Sequence, residues 1–214
     1  MTCSTDSIIR SRRCALLSSV VLALTLLGGA VHVPMAAADT LEAEYHGPSR
    51  HMRTLHFEIA ENATRFVFDD EPLDEDGLPA YGNEFITEGY LYPRGFLRDR
   101  DGVLPNGGAA FPEKVLGRWT CRGWHVGEGA KTKTGPIVIT TQYFDLDDTS
   151  GHTSLVTEGV ELADVGVPVR RAITGGTGRF RNARGQSVQR LLGLDAMGGV
   201  KLRVSLRPGR RWGR

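Results

Sequence analysis

The chain has 214 residues, with 26 Lys and Arg against 25 Asp and Glu. This length suits one ordinary domain rather than two, and the even charge balance excludes the basic footprint of a nucleic-acid binder. Of the three cysteines, Cys3 and Cys14 fall in the leader described next; Cys121 is left without an intramolecular partner, so no disulfide framework holds the fold.

Residues 1–38 read as a signal peptide. Arg10, Arg12 and Arg13 form a basic start, Cys14 to Val31 is an apolar run, and Met35-Ala36-Ala37-Ala38 supplies the small residues of a cleavage site after Ala38. An uncleaved membrane anchor is the alternative, since the apolar run is long enough to span. Ser11-Arg12-Arg13-x-x-Leu16 also resembles a twin-arginine signal. Cleavage removes three Arg and one Asp and leaves a mature chain of net charge about −1, expected to be secreted and free of the membrane. Residues 39–51 are a short extension, and the barrel domain derived below covers 52–207.

Helical periodicity is nearly absent from the mature chain. Short runs of β-branched and aromatic residues predict strands at 53–60 (with 64–68 as an extension or bulged continuation), 84–92, 115–126, 136–145, 153–162, 168–175, 183–193 and 199–206. Turn chemistry at 147–151, 164–166 and 195–199 makes neighbouring strands antiparallel. An all-β fold follows, an eight-stranded antiparallel β-barrel that leaves no exposed edge. A two-sheet sandwich is the alternative. The acidic stretch 69–83 lacks the ligand spacing of a calcium loop and reads as solvated. The Gly-, Pro- and Arg-rich stretch 93–114 is long enough to frame a binding mouth. Thr87-Glu88-Gly89 and Thr157-Glu158-Gly159 echo one another, and each Gly suggests a bend or bulge. The basic residues 208–214 read as a solvated tail.

Familiar chemical motifs are missing. Thr174-Gly175-Gly176-Thr177-Gly178-Arg179-Phe180 has no Lys after its glycines and Arg181 where a dinucleotide loop needs Gly, so it reads as a tight turn whose glycines take positive φ. His46, His51 and His56 lack companion ligands, and no metal or cofactor is expected. Gly-x-Ser-x-Gly is absent. Asn62-Ala63-Thr64 is a formal glycosylation sequon.

The stretch Arg171–Gln186, with Ala172-Ile173-Thr174-Gly175-Gly176-Thr177-Gly178-Arg179-Phe180, resembles the glycine-rich turn of plant dirigent proteins and allene oxide cyclases. Gly151-His152-x-Ser154 and the pair Tyr143-Phe144 extend the likeness to the cyclases. The resemblance covers about 52–206 and looks closest to bacterial members of this barrel superfamily. It implies an eight-stranded barrel, often trimeric, whose apolar cavity takes a small apolar or phenolic molecule and guides a cofactor-free cyclisation or stereoselective coupling, an isomerase-like activity if there is one. A homo-oligomer, trimer or dimer, is expected. The alternative is a non-catalytic secreted binding or scaffold protein with a packed barrel.

In the cyclases a Tyr-Glu-Ile-Asn run carries an acid and a water-binding Asn. Phe57-Glu58-Ile59-Ala60 matches it at Glu58 and departs at Ala60. The resemblance therefore makes Glu58 the catalytic candidate and argues against allene oxide cyclase activity itself. A cavity Cys of the cyclases aligns with Cys121. Strand parity leaves two readings of the first strand: Glu58 inward with His56 and Ala60, or Leu55, Phe57 and Ile59 inward with Glu58 facing water. An inward Cys121 brings Trp119 and His125 with it and sends Arg118 and Arg122 outward. Gln142 is placed inward with Thr140, and Glu88 and Glu158 complete the candidate ligand-binding set.

Overall fold

In the computed structural model, which describes residues 53–147 and 151–209, the runs of β-branched and aromatic residues form nine strands among the described residues. These are β1 (Leu55–Glu61), β2 (Val67–Phe68), β3 (Glu84–Pro93), β4 (Gly117–His125), β5 (Pro136–Asp145), β6 (Ser154–Leu162), β7 (Pro168–Gly176), β8 (Gly185–Leu194) and β9 (Val200–Pro208). The expected signal peptide, the 39–51 extension, His46, His51 and tail residues 210–214 lie outside the described residues.

Every strand pairs antiparallel with its neighbours in one nine-stranded sheet, and β1 pairs with both β9 and β3, closing an eight-stranded barrel that β2 extends along β3. This excludes the sandwich. The chain breaks from β1 at Asn62–Phe66, then β2 resumes the pairing along β3 at Val67↔Ile86, the continuation expected for 64–68. Asn62 caps the intervening 3₁₀ turn. Its Oδ1 accepts from the Thr64 N–H and hydroxyl, its Nδ2 donates to the Gly107 carbonyl, and the side chain is buried, so the sequon carries a structural Asn. In the acidic stretch, Asp74 Oδ1 accepts the N–H groups of Asp76 and Leu78, and Lys131 bridges Asp74 and Asp76.

The period-2 alternation of each strand divides the barrel wall into an inner and an outer face. At one end the inner face is packed. Phe57 and Phe144 lie 5.9 Å apart, and Leu155, Ile173, Ala183 and Leu206 fill the space around them. The glycine-rich turn seals this end. Thr177 donates its hydroxyl to the Gly151 carbonyl and accepts the Ser154 N–H, and Phe180 inserts into the core. Positive φ is needed here at Gly178 alone; Gly175 and Gly176 belong to β7. Gly176 is small because the Ser154 carbonyl and Phe180 leave no room for a Cβ.

The long stretch between β3 and β4 corrects an expectation. It leaves the barrel at the packed end and frames no mouth. Residues 94–116 instead form a strap folded back over the outer face of β1 and β3, where Leu97 and Val103 pack on Ala60, Tyr90 and Tyr92. Tyr92 donates to Gly102 O at 2.6 Å and Tyr90 to Gly107 O at 2.8 Å. The backbone of Gly102 lies directly against Ala60, which accounts for the small residue there.

Phe180 is the side chain that plugs the closed end. Phe180→Ala is expected to lower unfolding free energy by about 3–5 kcal/mol, read from urea denaturation with an unchanged m-value. An effect below about 1 kcal/mol would contradict the role given to the plug.

Candidate functional site

At the other end the barrel is open. The loops 126–135 and 163–167 and the strand ends at Leu194 and Val200 border a cavity of about 380 Å³, near the lower end of the roughly 300–1,000 Å³ seen for small-molecule sites. Its wall is mainly apolar, with the rings of Phe66, Phe85 and Trp119 opposite the aliphatic side chains of Val169, Leu191 and Leu202.

A polar cluster forms one side of the wall. Glu161, inward on β6, accepts from the Thr140 hydroxyl (2.6 Å) and Gln142 Nε2 (2.9 Å) at Oε1, and from Gln189 Nε2 (2.6 Å) at Oε2. Arg171, inward on β7, lies 3.7 Å from the same carboxylate. Its guanidinium is committed to the backbone, donating to the carbonyls of Gly159, Val160 and Thr140. Gly159, at φ +150°, leaves the space that the Arg171 side chain crosses. A buried carboxylate is tolerated where it is paired and hydrogen-bonded, and Glu161 is both.

Glu61, the last residue of β1, is a second carboxyl in the cavity wall. Burial pushes its pKa above the ordinary carboxylate value. The Val200 N–H (2.8 Å to Oε2) and the Thr87 hydroxyl pull the other way, and the neighbouring carboxylates of Glu161 and Asp195 add to the upward push. Burial also lowers the His125 pKa against the opposing Asn83 carbonyl, favouring a neutral ring, which packs on Phe85 at 5.1 Å. The Cys121 thiol is pushed well up by burial and by Glu161, whose Oε1 lies 3.6 Å away. It is a buried thiol rather than a thiolate nucleophile.

The structure brings together Trp119, Cys121 and His125 in the cavity wall and Gln142 against Glu161, with Arg118 and Arg122 on the outer face of β4. The remaining three candidates lie elsewhere. Glu88 and Glu158 are exposed on the outer faces of β3 and β6, and Glu88 pairs with Arg65. Glu58 is fully buried, yet on the outer face of β1 beneath the strap. Its Oε1 accepts from Arg203 Nε and Nη2 (2.8 and 2.7 Å) and its Oε2 from the Leu97 N–H (2.8 Å). Neither parity reading foresaw this: the apolar residues do fill the barrel, but Glu58 meets a clamp instead of water. Ala60 lies on the same outer face, so its departure from the cyclase pattern does not touch the cavity.

Glu61, Glu161, Arg171 and Gln189 were not foreseen. The signal was present for each: Glu61 shares the parity of Phe57 and Ile59, Glu161 that of Leu155 and Thr157, Arg171 that of Ile173, and Gln189 that of the buried Ser187. Among the described residues, no three His, Cys, Asp or Glu side chains converge to hold a metal ion.

The raised Glu61 pKa fixes a sign. The folded state holds this proton more tightly than the unfolded chain. The associated stability is therefore complete below the ordinary pKa of 4.5 and is lost as pH rises through the higher folded-state value. Glu61→Gln removes this dependence, so the variant is expected to gain on the natural chain as pH rises through that window, followed by chemical denaturation at a series of pH values. A pH-independent difference would contradict the assignment. Glu58→Ala is expected to cost about 2 kcal/mol through its lost charged hydrogen bonds and to expose the strap to proteolysis. Unchanged protease resistance at 94–116 would exclude the clamp.

No family model and no curated protein matches the chain. Among solved structures, the pterocarpan synthase dirigent protein PsPTS1 superposes with a TM-score of 0.51 at 16% identity, over 72% of this chain and 91% of that one. The pterocarpan synthase dirigent protein GePTS1 gives 0.49 at 18% identity, over 76% and 95%. AbnU, an exo-specific intermolecular Diels-Alderase, gives 0.43 at 18%, over 72% and 96%. At these identities the PsPTS1 likeness is one of fold: the chain folds as a barrel of the dirigent-like type.

Proposed function

We propose that this chain is an exported barrel that binds a small apolar or phenolic molecule in its open half and directs a cofactor-free cyclisation or coupling of that guest. The observation that carries the reading is the cavity itself, an apolar space of about 380 Å³ with two carboxyl side chains in its wall. A fully packed barrel, the scaffold alternative, would leave no such space.

In this reading the wall restricts the guest to a folded conformer near the reacting geometry, and most of the rate gain comes from that restriction. Glu61, with its raised pKa, is suited to move a proton to or from the guest. Glu161, held by Thr140, Gln142 and Gln189 with Arg171 at 3.7 Å, presents oriented carboxyl oxygens to positive charge developing beside it. Glu58 has no catalytic part. The exposed Ile86, Trp124 and Ile139 stand on the outer faces of three adjacent strands and supply the apolar surface for the proposed homo-oligomer.

Native mass spectrometry of protein recovered from the culture medium, after incubation with the small-molecule extract of that medium, tests the reading. The expected result is an oligomer of chains beginning at Asp39 that retains a small-molecule adduct. Val169→Trp, which fills the cavity from its wall, is expected to lose the adduct while keeping the oligomer mass. A clean spectrum without adduct would favour the scaffold alternative, and a cell-retained chain with its leader intact would overturn export.

A further inference from the structure

The charged residues in the cavity wall are all of one sign. Glu61 and Glu161 line it, and neither Lys nor Arg does. The other titratable wall residues are Cys121 and His125, the first a buried thiol and the second biased to its neutral form. Arg171 stands behind Glu161, and three backbone carbonyls occupy its guanidinium. Asp195 adds a third carboxylate on the Glu61 side. Its Oδ1 accepts the N–H groups of Met197 and Gly199, while its buried Oδ2 has no partner.

Gln189 gives a second, independent indication. It lies in the wall at 2% exposure, its Nε2 is used on Glu161, and its Oε1 accepts no hydrogen bond. A buried acceptor without a donor is costly unless a ligand or water supplies one. Trp119 Nε1, also buried and without a partner, supplies a donor to the same wall. The Trp119 ring adds an aromatic surface to the same wall, of the kind that attracts cations.

Resting on the ligand-binding reading above, we infer that the cavity selects an apolar organic cation bearing N–H donors, a protonated amine on an aromatic or alicyclic frame, and rejects carboxylates and phosphates of the same shape. An anion would enter an apolar space whose wall presents two carboxyl groups and an unmet amide oxygen, with no Lys or Arg in the wall to meet it. The ammonium is placed between Glu61 and Glu161, its N–H groups within the set of acceptors that includes Gln189 Oε1. The apolar frame fills the space between the aromatic and aliphatic walls.

The test uses three probes that share one frame, 4-phenylbutylamine, 4-phenylbutanol and 4-phenylbutyrate, titrated into the mature protein at neutral pH by calorimetry. The amine is expected to bind at least tenfold more tightly than the alcohol, and the butyrate not to bind. Glu61→Gln and Glu161→Gln, each checked for folding by thermal melt, are expected to narrow the amine-to-alcohol ratio to about threefold or less. Alcohol or butyrate binding as tightly as the amine would overturn the charge preference and leave the ligand-binding reading standing. An unchanged amine-to-alcohol ratio in both folded variants would overturn it as well. Absence of binding by all three, with Val169→Trp indistinguishable from the natural protein, would remove the cavity reading and the preference together.

Discussion

Strand β1 is hydrogen-bonded on both sides, to β9 and to β3, and the direction of every side chain in the barrel follows from that closure. A closed sheet has no free edge along which a strand can slip, and a shift of one residue would exchange the two faces. With Phe57 and Ile59 inward, Glu61 reaches the open end of the interior and Glu58 is forced outward. The same parity puts Ala60, Tyr90 and Tyr92 on the outside, where bare apolar and aromatic surface would meet water. The strap answers this by covering them, and its Leu97 N–H completes the hydrogen bonds of Glu58.

The second constraint is the carboxylate of Glu161. An eight-stranded barrel is narrow enough for side chains to fill it, and the packed end of this one is filled. Above that packing, Glu161 collects Thr140, Gln142 and Gln189, with Arg171 behind it. Apolar groups cannot be laid over such a cluster without leaving hydrogen-bonding capacity unmet, as the free Oε1 atoms of Gln142 and Gln189 already illustrate. The packed core stops there and the cavity begins. The absence of a side chain at Gly159 is part of the arrangement, since it admits Arg171 to the carbonyls it serves.

The packed core and the open cavity thus lie at opposite ends. The glycine-rich turn that carries the resemblance to dirigent proteins and cyclases belongs to the sealed end, where Thr177 ties two turns together and Phe180 enters the core. It reports how the barrel is closed. The cavity is lined by residues outside that motif, Glu61, Glu161 and Gln189 among them, which is why a strong local resemblance agrees with the fold and leaves the chemistry of the cavity to be read separately.

Much of the fold was legible in the sequence. Alternating β-branched and aromatic runs marked the strands to within two or three residues, and short polar turns required antiparallel neighbours. Parity within β4 and β5 was readable too, because their outer residues include Arg118, Arg122 and Thr141, which water accepts, while Trp119, Cys121 and Gln142 share the other face. On β1 the same reasoning failed. Both of its faces are covered, one by the barrel interior and one by the strap, so a buried Glu is compatible with either, and period-2 alternation cannot tell which cover is the inside. The sequence by itself determined the strands, their antiparallel order and the place of the glycine-rich turn, all of which depend on local periodicity and turn chemistry. Tertiary structure alone decided that Glu58 is a clamp and Glu61 a cavity residue, and that Glu161 meets Arg171, Thr140 and Gln189, because those roles arise from sheet closure and from contacts between strands far apart in the chain.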